Sequence, residues 1–344
     1  MSNIVTLDMG GGGKKAVTLI KFISDKLSLK KFTEEGVGVE SLDDGAILPW
    51  KYSEEYNIVL TTDSYTVTPL FFPGGNIGDL AACGTINDLT MMGAKPIAMT
   101  LALIIEEGLT FTELGKILDT FNEICQGLNI AVPAGDTKVM PSGTLNKLVI
   151  NTAGIGIVEK NKKILDRSVQ PGDTIIVTGN LGEHGFTMLT SREGLSFEHK
   201  IQTDSAALYE LIEPILKYEI HAMKDPTRGG LASVLNEWVE KSTDISIWID
   251  ENSLPISEEV TVISEIFGID PLIVANEGKA VIACSKDDAQ QILQELQKHP
   301  LGKNSQIIGN AKRDKYIGKV IINTSIGGHR ILEKALGQPI PRVC

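Results

Sequence analysis

The sequence predicts a mixed α/β (α+β) protein in two domains, and three observations predict it. The chain has 344 residues, beyond the length at which a single hydrophobic core usually stops growing. Short apolar β-branched runs alternate with segments of helical period along most of that length. Between positions 160 and 173 the pattern breaks: Glu159-Lys160-Asn161-Lys162-Lys163 is a solvated charged stretch, and Gln170-Pro171-Gly172-Asp173 makes a strong turn before a fresh strand. These features divide the chain into a glycine-rich segment and helix over 1–36, an N-terminal domain over 37–160, a C-terminal α/β domain over 161–337 and a flexible tail over 338–344.

In chain order, Lys15–Leu29 has helical spacing and Ile58–Thr62 is the first β-branched run. Ile77–Met92 is a helix, Ile97–Ile105 a strand, Thr112–Gly127 a helix and Leu148–Val158 a long strand. Beyond the break come the strands Thr174–Thr178, Ile245–Ile249, Ala280–Cys284 and Lys319–Asn323. With them alternate the helices Ser205–Tyr218, Leu231–Lys241, Asp287–His299 and Arg330–Leu336.

Composition bounds the function. Hydrophobic content of 42% and charged content of 22% describe an ordinary soluble globular protein. The net charge of −12 argues against nucleic acid or an anionic membrane as a partner. A protein of that charge needs local cations or metal ions to hold a polyphosphate. The four cysteines, Cys83, Cys125, Cys284 and Cys344, show neither paired spacing nor CxxC, so neither a disulfide framework nor a zinc knuckle is indicated. The five histidines have no metal-ligand spacing. The longest apolar run, Ile97–Ile105, is too short to span a bilayer, and the first residues lack a signal-peptide pattern. The expectation is a reduced, cytoplasmic protein.

Cys344 follows Gln338-Pro339-Ile340-Pro341-Arg342-Val343, a stretch that two prolines hold extended. Seven residues reach roughly 25 Å, the geometry of a swinging arm that carries a thiol. By position alone an accident of sequence is the readier reading. Gly10-Gly11-Gly12-Gly13-Lys14 is not Walker A, because Asp8 and Lys15 stand where glycine and a hydroxyl residue belong, yet its backbone N–H groups suit an anion.

Acidic residues at strand ends say more. They occur in Asp43-Asp44-Gly45, Thr62-Asp63-Ser64, Asn87-Asp88, Gly135-Asp136-Thr137-Lys138, Asp225-Pro226-Thr227-Arg228-Gly229-Gly230 and Asn276-Glu277-Gly278-Lys279. Each alone also reads as a turn former or a cap. Asp88 fits that reading worst, because it lies inside an apolar helix. Together they describe hard-cation sites: Mg2+ held by carboxylates and by nucleotide phosphates.

As one string, these segments with Pro69-Leu70-Phe71-Phe72-Pro73-Gly74-Gly75, Cys83-Gly84-Thr85-Ile86 and Pro341-Arg342-Val343-Cys344 resemble the HypE family, the carbamoyl dehydratases of hydrogenase maturation. That family lies in the superfamily of aminoimidazole ribonucleotide synthetase and selenophosphate synthetase. The resemblance runs from the glycine loop to Cys344. It implies a two-domain fold that dimerises through strands of the N-terminal domain, with ATP near the dimer interface. Two departures stand out: Met9 and Lys224 occupy positions where the family commonly has His.

The resemblance also implies the chemistry and its residues. Cys344 would receive a carbamoyl group from the partner HypF. ATP-dependent dehydration would turn that thiocarbamate into a thiocyanate, and a HypC–HypD complex would accept the cyano group. Asp44, Asp63, Asp88 and Asp225 are the expected Mg2+ ligands. Gly12, Gly13, Lys14, Asp136, Thr137 and Asn276 join Asp44, Asp63 and Asp88 as the expected ATP contacts. Lys138 would also touch ATP and steady negative charge beside the tail, and Glu277 would accept a proton. Two other readings compete. One is a selenophosphate- or amidine-forming enzyme of the superfamily that does not need Cys344. The other is a non-catalytic scaffold with a partner-binding thiol.

Overall fold

The structure is a computed structural model that describes residues 17–18, 21, 35–37, 41, 43–50, 53–192, 201–337 and 340. The long β-branched runs of the first half pair into one five-stranded sheet. Its order is β1 (Ala46–Leu48), β2 (Tyr56–Tyr65), β7 (Leu148–Glu159), β5 (Lys95–Glu106) and β6 (Ala131–Met140). All neighbours are antiparallel except β5 and β6. A small ladder of β3 (Phe71–Phe72) and β4 (Gly75–Asn76) precedes α1 (Ile77–Met91). Asn76 caps that helix, accepting from the Gly78 N–H at 2.8 Å. Nearly every residue of α1 is buried, as an all-round apolar helix must be. It lies against β2 and β7, against α2 (Phe111–Gly127) and against the second domain. Thr110 and Glu113 close a capping box at the start of α2.

The second domain is built on a seven-stranded sheet of order β14-β13-β10-β12-β8-β11-β9. Its strands are β8 (Thr174–Val177), β9 (Ile220–Lys224), β10 (Ser246–Asp250), β11 (Val281–Cys284), β12 (Gln306–Lys312), β13 (Val320–Asn323) and β14 (His329–Ile331). The central strands β8 and β11 are buried on both faces. Alternation along β8 sends Ile175 and Val177 into one cluster with Trp238, and Ile176 into another with Ile292 and Leu296. Helices therefore cover both sides: α5 (Gly230–Lys241) on one, α7 (Ala289–Leu296) on the other. The domain also holds α3 (Glu183–Arg192), the short α4 (Tyr209–Ile212) and α6 (Glu258–Phe267). No helix among the described residues is long and apolar enough to cross a membrane.

Two expectations need correction. Arg330–Leu336 is not a helix: residues 329–331 pair with β13 as an edge strand, and the chain beyond them is irregular. Ser205–Tyr218 is helical only over Tyr209–Ile212 before a 3-10 turn at Glu213–Ile215. Upstream, the Leu208 N–H bonds the side chain of Asn87 instead of a helical carbonyl. Of the expected tail 338–344 only Ile340 is described; it is 4% exposed and belongs to the apolar cluster of Phe72, Phe186 and Val274. Of the expected helix Lys15–Leu29, only positions 17, 18 and 21 are described, and they are helical.

Candidate active site

The carboxylates meet where the two domains meet. Asp63 comes from β2, Asp88 from the inward face of α1, and Asp44 from the turn before β1. Asp225 follows β9, and Glu277 lies on the segment leading into β11. The Thr61 hydroxyl lies 2.7 Å from Asp88 Oδ2 and 3.1 Å from the Asp44 carbonyl, close enough to donate to either. Arg228 approaches Asp63 at 3.9 Å.

This crowding has an electrostatic signature. Burial pushes the Asp88 carboxyl well above the ordinary range, and Asp225, Asp63 and Asp44 push it further. Asp225 is raised by burial and then by Asp44 and Asp63, against the opposing pull of Lys224. Glu277 is raised by burial and by Asp225, Asp204 and Asp63. Its Oε1 is buried without a hydrogen-bond partner among the described residues.

A donor set of carboxylate oxygens that repel one another suits a hard divalent cation. No three such groups among the described residues enclose an ion by themselves. Mg2+ does not require that, since it keeps several waters and takes further oxygens from phosphates. Asp63, Asp88 and Asp225 fit this role.

Glu277 is held through its backbone. Its N–H donates to Asp204 Oδ1 at 3.1 Å, and its carbonyl accepts from the Asn87 side chain at 3.2 Å. Asn87 also donates to the Ala206 carbonyl at 3.0 Å. Lys279 pairs with Asp204 at 3.2 Å and with Glu183 at 3.6 Å. A Cβ at Gly278 would collide with the Asp204 carbonyl oxygen, so the two segments can approach this closely only over a glycine. A polar cavity of 340 Å³ opens beside Lys279, lined also by Asn180, Asp204, Lys303 and Asn304.

Asn276 spends its side chain inside the protein. It donates to the Pro226 and Val274 carbonyls and accepts from the Gly182 N–H at 2.7 Å, tying the Asp225 loop to the Glu277 segment. Asp136, Thr137 and Lys138 lie on β6, exposed and at the sheet edge. The register aligns Asp63 with Thr152 and Leu101, whereas Asp136 and Lys138 align with Ala102 and Ile104. Asp136 and Lys138 therefore stand on the sheet face opposite Asp63. Within one chain they do not join the carboxylates. Gly12, Gly13, Lys14 and Cys344 lie outside the described residues.

Sequence reasoning missed Thr61, Asn87, Asp204 and the part played by Lys224. Asn87 carried a signal, since a second polar residue beside Asp88 is doubly unexpected in an apolar helix. Lys224 is 9% exposed, with its ammonium 2.7 Å from Asp44, 3.2 Å from Asp166 and 3.3 Å from Glu237. Asp166 also binds Lys241 and accepts from Trp238 Nε1 at 2.9 Å.

Two family models match the chain: the N-terminal domain of AIR synthase related proteins over residues 42–158 and the C-terminal domain over 170–321. A Methanocaldococcus jannaschii protein named for hydrogenase expression and formation is 50% identical over 99% of both chains. Escherichia coli carbamoyl dehydratase HypE is 36% identical, covering 99% of this chain and 100% of its own. Among solved structures, HypE-HypF complex coordinates match 92% of this chain and 99% of theirs at 38% identity, with a TM-score of 0.84. HypE in complex with ATP matches 99% of this chain and 100% of its own at 34% identity, with a TM-score of 0.81. With both AIR synthase related domains matched and full-length likeness to HypE, the chain belongs to the HypE family of hydrogenase maturation carbamoyl dehydratases.

Proposed function

We propose that this protein dehydrates a carbamoyl group carried on Cys344 to a thiocyanate at the cost of ATP, supplying cyanide for a hydrogenase iron centre. The convergence of Asp63, Asp88, Asp225 and Glu277 at the domain joint carries this reading. The likeness to HypE solved with ATP and with HypF supports it.

An amide loses water only if its oxygen becomes a leaving group. In-line attack of the thiocarbamate oxygen on the γ-phosphate of ATP forms the O–P bond and releases ADP. One N–H proton leaves as this imidate phosphate forms; loss of the remaining N–H proton, together with cleavage of the C–O bond, then expels phosphate and leaves S–C≡N. The protein's part is positioning and electrostatic stabilisation. Asp44, Asp63, Asp88 and Asp225 would hold Mg2+, which neutralises charge on the phosphates when bound. Glu277, buried and raised, is suited to take up the N–H proton at Oε1. Gly12, Gly13 and Lys14 would close over the phosphates.

Leu60, Ile155 and Ile104 are exposed on the sheet face that also carries Asp136 and Lys138. A second copy would cover this face in a homodimer, bringing Asp136, Thr137 and Lys138 to a shared nucleotide site. HypF is the carbamoyl donor and a HypC–HypD complex the acceptor.

The test is mass spectrometry of the peptide ending in Cys344, after carbamoylation by HypF and addition of Mg·ATP. The expected result is loss of one water from that peptide. Loss that persists in Cys344→Ala, or its absence despite confirmed carbamoylation and ATP turnover, overturns the reading.

A further inference from the structure

We propose that residues 203–206 form a strap across the domain joint, and that Asp204 within it is a positioning residue for the reaction, acting only through the place it gives Glu277. This rests on the reading of Glu277 as the base and deepens it.

The strap is tied to both domains. The Thr203 N–H donates to the Pro73 carbonyl at 3.0 Å, and the Thr203 hydroxyl lies 2.7 Å from His184 Nδ1 on α3. The Ser205 hydroxyl donates to Asp79 Oδ1, in the first turn of α1, at 2.9 Å. The Ala206 carbonyl accepts from Asn87, on the same helix, at 3.0 Å. Pro73, Asp79 and Asn87 belong to the N-terminal domain and His184 to the second. Glycine makes room for the crossing: a Cβ at Gly74 would stand 3.1 Å from the Thr203 side chain and 3.3 Å from its backbone nitrogen.

Asp204 is the strap residue that grips the base. Its side chain is fully buried, and its two oxygens are divided between two tasks. Oδ1 accepts the Glu277 N–H at 3.1 Å, while Oδ2 faces the Lys279 ammonium at 3.2 Å. The segment is thus clamped on either side of Gly278, which itself lies against the Asp204 carbonyl. Lys279 is shared with Glu183 at 3.6 Å, and Asn180 donates to Glu183 at 3.0 Å. The Glu277 carboxylate enters none of these contacts, and its Oε1 has no partner among the described residues. A carboxylate that must collect a proton cannot be tied down by its own oxygens. Its position has to come from its backbone and from the groups that hold that backbone. Asp204 supplies that hold from behind, with no surface left to touch a substrate.

The test uses the full chain carbamoylated on Cys344 by HypF. Water loss after addition of Mg·ATP is followed by mass spectrometry in a single turnover, and ATP affinity is measured separately. Asp204→Ala should slow water loss roughly tenfold to a hundredfold. ATP affinity should stay within about twofold of the parent. Asp204→Asn keeps an oxygen for the Glu277 N–H and should slow the step less. The deciding measurement repeats Asp204→Ala in a Glu277→Gln background, where the slow residual rate should fall no further, because the group through which Asp204 acts is already gone. Should Asp204→Ala misfold with Lys279 left unpaired, the double change Asp204→Ala with Lys279→Met takes its place in both backgrounds. An equal fall in both backgrounds, or no fall in the parent, overturns the inference and leaves the base reading standing. Full activity in Glu277→Gln alone refutes the base reading, and the inference falls with it.

Discussion

The side-chain amide of Asn87 donates to the carbonyl of Glu277 at 3.2 Å, joining a helix of the first domain to a segment 190 residues away in the second. The same side chain accepts from the Leu208 N–H at 2.8 Å. Asn87→Leu leaves one buried donor and two carbonyls unpaired. The expected cost is about 1–3 kcal/mol in denaturant unfolding. Turnover should fall further than ATP affinity, because Glu277 loses its register while Asp63 and Asp225 keep theirs. Equal losses of kcat and nucleotide affinity would count against this placement.

The carboxylates at the joint store repulsion, which gives stability a definite pH dependence. Asp88, Asp225 and Glu277 have folded pKa values raised well above the unfolded ones. Their favourable contribution is complete below the ordinary carboxylate range and is lost as pH rises through the raised values. Without divalent ions, the protein should therefore melt at progressively lower temperature as pH increases through that window. Mg2+ with a nucleotide should flatten the dependence. Asp88→Asn should raise the metal-free melting stability at pH 8, on the order of 1 kcal/mol, while losing activity. A metal-free melting temperature that rises over the same window would refute the account.

Gly278→Ala tests the close approach to Asp204. The added methyl meets backbone, which cannot yield as a flexible side chain can. The expected outcome is a loss of about 1–3 kcal/mol and displacement of Glu277, read as a fall in kcat with ATP affinity unchanged. Gly318→Ala, where a Cβ meets nothing nearby but φ is +76°, provides a strain-only control.

His221 provides a second pH signal of the same sign from a different source. Its Nδ1 lies 2.8 Å from Asp173 Oδ1, and that hydrogen bond raises the imidazole pKa. The pair stabilises the fold fully below the unfolded value near 6.5 and is lost as pH rises through the raised one. His221→Gln should remove this component and leave the carboxylate-driven slope. Parallel stability curves for parent and variant between pH 6 and 9 would rule it out.

Part of this architecture is readable in the sequence, and the unread part has physical causes. The runs at Ile58–Thr62 and Leu148–Val158 fall within β2 and β7 because β-branched segments half-buried on a sheet leave a clear pattern. Ala131–Met140 leaves none: it is exposed on both faces and carries Pro133, Gly135 and Asp136, so it reads as a turn. It is a strand only because β5 offers an edge, and an edge tolerates proline. Residues 329–331 join β13 for a similar reason, with pairing overriding a local helical spacing. In the site, Asp88 announced itself as a carboxylate in an apolar helix. Lys224 did not, because the closeness of Asp44, Asp166 and Glu237 to it exists only once the domains have docked.

The burial of Ile340 changes what kind of substrate Cys344 would be. With Ile340 seated in the cluster of Phe72, Phe186 and Val274, Cys344 lies four residues beyond that anchor. Four residues reach at most about 14 Å. A thiol on so short a leash searches a volume of about ten thousand cubic ångströms, an effective concentration on the order of 0.1 M. At that level binding of the reacting group is no longer a step to be optimised. For a substrate carried as proposed above, the seating of Ile340 would set the region that the thiol can search.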